Sequence, residues 1–273
     1  MQDWRGSNVQ PLHHPYLPLI MIVQIYEIQT PEEAEKCIAL GVDHIGSVLL
    51  SGRQWRQPLI REVVRMSDGT SARNSIIPLF RDMETLCRSL EYYQPHFVHF
   101  CDGLTDERGR ELNLRGLIDF QFQLKERFPE LRIIRSIPVP VEQTEHPFPS
   151  LNLARAMEKA SDIFLIDAWT ANEPVKGYLG ITGKVVNWDI ARKLVVRSGI
   201  PVILAGGLSA ENVYDAVVKI TPAGADSCTH TNSVDTTGRP IRFKKDFQKV
   251  EKFVREVRRA EETLRRTKED PHE

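Results

Sequence analysis

The chain has 273 residues, of which 41% are hydrophobic and 27% are charged, close to the averages of folded globular proteins. This composition excludes a disordered or fibrous protein, and the length fits a single α/β barrel or two modest domains. Lys and Arg total 36 against 37 for Asp and Glu, so the formal net charge is −1 and no overall field would attract nucleic acid or an anionic membrane.

The four cysteines are widely spaced, without a CxxC pair or a Cys/His cluster at zinc-ligand spacing. We therefore expect free thiols in a reducing compartment, with no metal and no cofactor. The longest apolar stretch, residues 17–25, is too short to span a bilayer. It also lacks a basic lead and a small-residue cleavage site, so we expect no signal peptide and a cytoplasmic location.

Residues 1–19 contain three prolines and two adjacent histidines, His13 and His14, without helical or strand periodicity. Two neighbouring histidines without further ligands nearby are more often solvated than metal-binding. We interpret this segment as an N-terminal arm.

From residue 20 onward, short apolar runs alternate with amphipathic segments. The predicted strands are 20–25, 44–50, 75–80, 97–101, 132–137, 163–168, 201–205 and 225–229. The predicted helices are 31–40, 58–66, 83–92, 114–128, 151–159, 188–197, 210–220 and 247–266.

The predicted strands are apolar at consecutive positions and rich in Ile and Val, as expected when a parallel sheet buries both faces. Helical segments of roughly ten residues separate them, which is the length that parallel crossovers require. Eight alternations predict a single (β/α)₈ barrel over residues 20–266, followed by a frayed tail at 267–273. A doubly wound sheet is the alternative, but the turn after the first strand lacks the glycines typical of that fold.

In such a barrel, catalytic groups follow the carboxyl ends of the strands. Asp167 ends the apolar run at 163–166. Burial there would raise the pKa of its carboxyl group toward values useful for proton donation. Asp167 is therefore the predicted proton donor, and a structural role in capping the next turn is the alternative.

Two loops have the composition of a phosphate site. Gly206 and Gly207 follow the seventh strand, where glycine allows close backbone approach and the next helix start supplies unpaired amides. Thr229 ends the predicted eighth strand and His230 follows it, at the usual phosphate position of these barrels. A tight turn that needs positive φ angles is the alternative for the glycine pair. A loop with three glycines at 177–184 is a candidate lid, or else an ordinary surface loop.

These segments resemble the phosphoribosylanthranilate isomerase family, barrel enzymes of tryptophan biosynthesis. The similar segments are GVDHIG at 41–46, LIDA at 165–168, GITG at 180–183, LAGGL at 204–208, ENV at 211–213 and KD at 245–246. The resemblance covers about residues 20–258 and implies a TIM barrel of the ribulose-phosphate-binding type. It also implies an Amadori-type aldose–ketose isomerisation of a phosphorylated ribosyl amine. Asp167 would protonate the ring oxygen while a base removes a proton from the adjacent carbon.

The resemblance further implies which residues contact the substrate. An arginine that the family has after the second strand corresponds to Arg56, or alternatively to Arg53. The predicted substrate- and phosphate-binding residues are Arg56, Gly180, Thr182, Gly183, Ala205, Gly206, Gly207, Thr229 and His230.

The family's base, a cysteine in a Lys-x-Cys-Gly motif after the first strand, is absent, because residues 24–27 read QIYE. Cys101 at the end of the fourth strand could supply a thiolate if a cation or helix end lowers its pKa. Glu27 and Asp102 are carboxylate candidates. Tyr26 would need a strongly perturbed pKa to act as a base.

Two functions are compatible with this pattern. The first is an isomerase that uses Asp167 and a relocated base. The second is an inactive barrel that binds a phosphorylated ligand as a sensor or partner protein. The expected partner is a small phosphorylated substrate, not nucleic acid or a membrane, and both a monomer and a homodimer are compatible with the fold.

Overall fold

A computed structural model describes residues 20–142 and 146–269, and its central feature is a closed barrel of eight parallel strands. Each strand pairs with the next in the chain, and the eighth closes the barrel against the first. The predicted (β/α)₈ barrel is confirmed. The predicted arm at 1–19 and residues 270–273 of the predicted tail lie outside the described residues. The strands are β1 (Ile22–Ile25), β2 (His44–Leu49), β3 (Arg73–Pro78), β4 (Phe97–Phe100), β5 (Arg132–Pro140), β6 (Ile163–Trp169), β7 (Val202–Leu204) and β8 (Gly224–Ser227).

Eight helices connect and follow these strands in the described part of the chain. They are α1 (Pro31–Ala39), α2 (Pro58–Arg65), α3 (Met83–Tyr93), α4 (Arg115–Arg127), α5 (Ser150–Met157), α6 (Trp188–Arg197), α7 (Val213–Ile220) and α8 (Phe247–Glu269). None of the described helices combines the length and the apolar character needed to cross a bilayer.

The helix ends follow local sequence signals. Thr30 caps α1 by accepting a hydrogen bond from the N–H of Glu33, and Pro31 lies in the first turn. α7 begins three residues later than predicted, because Asn212 Oδ1 accepts from the N–H of Ser209 and closes a separate turn there. α8 continues to Glu269, three residues past the predicted end of the barrel domain.

The barrel wall separates two packed layers. Outward-facing apolar residues such as Ile137 and Phe164 pack against the helices. The barrel interior is unusually polar for a packed core, since side chains from different strands hydrogen-bond across it. These interior residues are Gln24, Tyr26, His44, Ser75, His99, Ser136 and Asp226.

An antiparallel hairpin between β8 and α8 was not predicted. Its strands are β9 (Asn232–Val234) and β10 (Pro240–Lys245), and Asp235 closes the turn by accepting hydrogen bonds from two backbone amides. Both strands are short and largely polar, so they lack the apolar run that marks the barrel strands. The hairpin lies against the carboxyl end of the barrel, where Arg242 Nε is 2.6 Å from Glu27 Oε1.

Candidate active site

Asp167 lies near the end of β6, at the mouth of the barrel where the carboxyl ends of the strands meet. Its Oδ1 accepts a hydrogen bond of 2.7 Å from the N–H of Ala168. Burial, with a smaller contribution from the negative charge of Glu173, raises the pKa of Asp167 from 3.8 to about 6, against the opposing effect of that hydrogen bond. The expected rise in pKa is confirmed, and the role in proton donation stays a prediction.

A second carboxyl group, Asp226 on β8, lines the same mouth and was not predicted. Gln24 Nε2 donates to its Oδ1 at 3.1 Å. Burial, followed by repulsion from Asp167, raises the pKa of Asp226 from 3.8 to about 8. The sequence did contain a signal for Asp226, because this aspartate lies inside a strand predicted to be buried on both faces. Burying an ionisable side chain there is costly unless it is paired, so its presence indicates a specific role.

Tyr26 fills the barrel interior just below the mouth. Its hydroxyl is 2.9 Å from Ser75 Oγ and 2.8 Å from His99 Nδ1. Its ring packs on Gly46, where an added Cβ would lie only 2.0 Å from the ring. Burial raises the pKa of Tyr26 well above 10 and lowers that of His99 to about 3. Both groups are therefore neutral at physiological pH, which does not support Tyr26 as the base.

Glu27 anchors the hairpin to the mouth. Its side chain is buried, and its backbone φ is 64°, which lies in the left-handed region. A glycine would adopt this backbone conformation without strain. Burial disfavours its ionisation, but the charge of Arg242 and the hydrogen bonds from Arg242 and Asn232 outweigh that effect and lower the pKa of Glu27. Glu27 is thus an ionised, fully paired carboxylate and a weak base.

The fourth-strand candidates are also held in unreactive states. Cys101 lines the mouth, but burial and the nearby Asp102 raise the pKa of its thiol far above the usual range, so it stays protonated. Asp102 forms ion pairs with Arg81 and Arg135 on the side of the barrel wall that faces the helices. All four cysteines are free, as expected. Within residues 20–142 and 146–269, no group of three or more His, Cys, Asp or Glu side chains is arranged to bind a metal ion.

Residues 177–186, here called the strap, lie across the mouth. A Cβ on Gly180 would lie 2.4 Å from Asp167 Oδ2, so only glycine allows the strap to approach the carboxyl group this closely. The N–H of Leu179 donates to Cys101 O at 2.7 Å. The cavity enclosed below the strap is about 60 Å³, less than the roughly 150 Å³ that accommodates one benzene ring. A sugar phosphate can therefore enter only if the strap moves.

The loop after β7 contacts the strap directly. Gly206 and Gly207 have φ angles of 80° and 64°, so the tight turn weighed as an alternative is present. Added Cβ atoms would lie 2.5 Å from Val186 Cγ1 and from the carbonyl carbon of Lys184, respectively. In the described residues, no hydrogen-bond acceptor faces the amide of either glycine. The loop after β7 therefore combines a tight turn with two backbone amides that have no hydrogen-bond acceptor in the described residues.

The loop after β8 completes this cluster. Thr229 and His230 begin a short 3₁₀ helix, and His230 Nε2 lies 3.0 Å from Gly183 O on the strap. Thr182 Oγ1 accepts from the N–H of Lys184 within the strap. Ala205 is buried beside the cluster, with its N–H bonded to Ile166 O on β6. The structure thus brings together every predicted phosphate-site residue except Arg56.

The guanidinium of Arg56 lies elsewhere, 5.0 Å above the ring of Tyr92 on α3, and does not line the mouth; Arg53, the alternative, is exposed. Arg242 from the hairpin lines the mouth instead, and its Nη2 is buried without a partner among the described residues. Sequence reasoning missed Arg242 because it follows no barrel strand and its position depends on a contact with Glu27, 215 residues away.

Comparison with known proteins identifies the family. Residues 120–256 match the family N-(5'phosphoribosyl)anthranilate (PRA) isomerase. The chain is 30% identical over 239 residues to the N-(5'-phosphoribosyl)anthranilate isomerase of Methanocella arvoryzae, which covers 86% of this chain and 97% of that protein. It is 33% identical over 208 residues to the Nostoc punctiforme enzyme of that name, covering 76% and 87%. This chain belongs to the phosphoribosylanthranilate isomerase family. The match to the Methanosarcina acetivorans relative, 34% identical over 132 residues, spans about half the length of that protein (52%) and 47% of this chain.

Solved structures of phosphoribosylanthranilate isomerases share the fold. The Thermotoga maritima structure aligns with a TM-score of 0.65 at 19% identity over 88% of this chain and 99% of that one. The Pyrococcus furiosus structure gives 0.61 at 20% identity over 88% and 100%. Another neighbour is described in complex with reduced 1-(o-carboxyphenylamino)-1-deoxyribulose 5-phosphate, and a further one as derived from a dimeric enzyme.

The predicted family and enzyme class are confirmed: the relatives are named as N-(5'-phosphoribosyl)anthranilate isomerases, and a ligand-binding sensor is not favoured. Within the phosphoribosylanthranilate isomerase family, this chain departs on the base side. Tyr26 and Glu27 replace the expected Cys-Gly pair, and both side chains form buried hydrogen bonds, Tyr26 with His99 and Glu27 with Arg242.

Proposed function

We propose that this protein catalyses the Amadori rearrangement of a phosphoribosyl amine of the anthranilate type. The observation that carries the proposal is the placement of Asp167 and Asp226, two carboxyl groups with raised pKa, beside unpaired backbone amides at one barrel mouth. An acid and a base near neutral pKa are what an isomerisation by proton transfer requires.

The phosphate group binds at the cluster formed by the loops after β6, β7 and β8. Amides of Gly206, Gly207, Thr229 and His230 have no acceptor among the described residues and can donate to phosphate oxygens. The strap covers this cluster and Asp167 together, so its closure would exclude water from the bound sugar.

The amine substituent occupies an outer groove lined mainly by the loops after β4 and β6. This groove has a volume of about 550 Å³ and includes Trp169 and Lys176. Tyr178 and Leu179 line both the groove and the mouth cavity, so a shift of these two residues joins the two spaces. Arg242, which lines the mouth, supplies the cation that the resemblance assigned to Arg56.

The reaction uses one proton of the aspartate pair. Asp167 protonates the ring oxygen, the bond between that oxygen and the anomeric carbon breaks, and an iminium forms on the amine nitrogen. Asp226 then takes the proton from the adjacent carbon to give an enolamine. Asp226 returns a proton to the former anomeric carbon while the hydroxyl on the adjacent carbon gives its proton to Asp167, which forms the ketone and restores both aspartates. The pKa values place the shared proton on Asp226 in the free protein, so this assignment requires that the proton moves to Asp167 when substrate binds.

Turnover of phosphoribosylanthranilate by the purified protein tests the function. We expect Asp167→Asn to lower kcat by roughly 10²- to 10⁴-fold, the usual cost of losing a general acid. Its affinity for the reduced substrate analogue bound in the structural neighbour should change less than about twofold, because the amide cluster is untouched. The matched control is Asp68→Asn, since Asp68 is exposed and far from the mouth in sequence and fold.

Binding without turnover would reject the enzyme and favour the sensor hypothesis. Growth rescue of a tryptophan auxotroph gives a second readout, which a sensor could not produce. A cytoplasmic location and the choice between monomer and homodimer stay predictions from the sequence.

A further inference from the structure

One layer of polar side chains crosses three adjacent strands inside the barrel. Gln24 on β1 is in register with His44 on β2 and with Asp226 on β8. Neighbouring strands lie about 4.8 Å apart, so side chains at paired positions on one face meet. All three residues are buried, with exposed fractions of 0%, 6% and 6% for Gln24, His44 and Asp226.

A continuous hydrogen-bonded chain connects these three side chains. Gln24 Nε2 donates to Asp226 Oδ1 at 3.1 Å, and Gln24 Oε1 is 3.2 Å from His44 Nδ1. An amide oxygen can only accept, so the Nδ1 atom of His44 carries the proton and donates it. Burial is the largest of the effects that lower the pKa of His44 to about 4, so the ring is neutral at physiological pH. Its single N–H determines which way the Gln24 amide points.

The carboxyl group of Asp226 has one bonded and one unbonded oxygen. Within residues 20–142 and 146–269, Gln24 is the only hydrogen-bond partner of Asp226, and Asp226 forms no ion pair. The other oxygen, Oδ2, has no partner among these residues and is not fully enclosed. Asp226 lines the mouth cavity, whereas Gln24 and His44 do not. Any effect of Gln24 and His44 on the reaction therefore passes through Asp226.

The charge of Asp226 interacts with groups from four places around it. These groups are Asp167 on β6, Lys245 on β10, Tyr26 on β1 and Cys228 after β8. Burial raises the pKa of Asp226 to about 8, and repulsion by Asp167 adds to the rise. The hydrogen bond from Gln24 is the larger of the two effects that oppose this rise, and the charge of Lys245 is the smaller. The neutral amide is thus the main group that stabilises the ionised carboxylate.

We propose that Gln24 and His44 are positioning residues for Asp226. His44 orients the Gln24 amide, and the amide holds Asp226 Oδ1, so that Oδ2 is the oxygen that receives the proton from the substrate. The same hydrogen bond favours the ionised form of Asp226, which is the form that a base requires. This role rests on the proposed function, because it takes Asp226 as the base.

Gln24→Met tests the first link, because it removes both hydrogen bonds and keeps the length of the side chain. Losing a hydrogen bond to a charged group should raise the pKa of Asp226 by about one pH unit. The basic limb of kcat/KM, where both aspartates are ionised, should therefore move above pH 8. We expect kcat at pH 7 to fall roughly tenfold from misplacement of the base. KM should change less than about twofold, since the amide cluster is untouched.

Gln121→Met is the matched control. Gln121 is also a buried glutamine, and its Nε2 donates to Ala160 O and Ser161 Oγ, outside the mouth. This variant should lower the melting temperature without moving the basic limb. An equal movement of the limb in Gln121→Met would show that general destabilisation, and not the bond to Asp226, changes the profile.

Two variants of His44 test the second link. His44→Leu removes the donor, so the Gln24 amide is free to turn, and the basic limb should move in the same direction as in Gln24→Met. His44→Asn keeps an N–H close to the place of Nδ1, and the limb should return toward its wild-type position. Identical profiles for the two variants would reject His44 as the residue that orients the amide.

A carboxyl titration keeps these tests independent of turnover. The ¹³C resonance of Asp226, assigned as the one missing in Asp226→Asn, should titrate near pH 8 in the full-length wild type and higher in Gln24→Met. Turnover with an unshifted resonance would overturn the role of Gln24 and leave the proposed function intact. A shifted resonance without turnover would reject the proposed function, while confirming that Gln24 sets the protonation of Asp226.

Discussion

Asp167 and Asp226 show how burial changes the chemistry of an ordinary carboxyl group. Both start from a pKa of 3.8, and removal from water raises them to about 6 and about 8. Each also repels the other's negative charge, so ionising one makes the second proton harder to remove. Between these two values the pair contains approximately one proton, which is the state that acid–base catalysis needs.

We predict a bell-shaped pH dependence of kcat/KM, with limbs near pH 6 and pH 8. Activity falls on the acidic side when both aspartates are protonated and on the basic side when both are ionised. The basic limb is the diagnostic one, because the substrate phosphate also titrates near pH 6. In Asp226→Asn the basic limb should move from near pH 8 to near pH 6, because Asp167 then titrates alone, while a low residual rate persists. A basic limb that stays near pH 8 in this variant would contradict the assignment.

The same physics explains why the sequence-based candidates for the base are unsuitable. Burial without a compensating cation stabilises the neutral forms of Tyr26 and Cys101, so neither supplies an anion at neutral pH. Glu27 is the reverse case, since its pairing with Arg242 makes it ionised but weakly basic. Of the two other described carboxyl groups that line the mouth with Asp167, Asp226 has a raised pKa and Glu27 a lowered one.

The strap and the two loops beneath it work as one element. Glycine is required at Gly180 and Gly207 for different partners: the first faces a carboxylate oxygen and the second faces the strap backbone. A side chain at either position would separate the strap from the groups it covers. Closure of the mouth therefore depends on the absence of Cβ atoms.

Gly207→Val should push the strap away from the loop after β7. A Cβ there would lie 2.5 Å from Lys184 backbone and would force a branched residue to φ 64°. We expect affinity for the reduced substrate analogue to fall at least tenfold, measured by calorimetric titration. The control is Gly238→Val in the hairpin turn, where φ is 81° but no atom lies within 4 Å of an added Cβ. If both variants lose affinity equally, backbone strain alone is responsible and the close approach of the strap is irrelevant.

Ionisable side chains buried in the barrel interior make the free energy of unfolding of the whole barrel depend on pH. Because the folded pKa of Asp226 is above its unfolded value of 3.8, the unfolded chain releases this proton first as pH rises. The free energy of unfolding of the wild type therefore falls with pH between about 4 and 8 on account of this residue. His99 acts in the opposite direction at lower pH: its depressed pKa of about 3 costs stability as pH falls below 6.5.

Asp226→Asn should accordingly stabilise the protein at alkaline pH. Relative to wild type, its free energy of unfolding should increase by roughly 2 to 4 kcal/mol between pH 5 and pH 8, since each unit of pKa shift corresponds to about 1.4 kcal/mol. Urea unfolding at several pH values measures this difference. Asp162→Asn is the control, because Asp162 is half-exposed and paired with Lys125 outside the mouth. Parallel pH curves for wild type and Asp226→Asn would show that Asp226 ionises normally in the folded chain.

The barrel, the position of Asp167 at its mouth and the glycine turn after β7 follow from the sequence because their signals are local. Apolar runs and helix caps lie within a few residues of the elements they define, and the groups that end parallel strands must meet at one end. The base side does not follow from any local pattern. Asp226 is linked to Gln24 across 202 residues, and Arg242 to Glu27 across 215. Closure of the barrel by β1 and β8 brings these distant residues together, and it also determines which side chains lose water, so only the tertiary structure decides their charge.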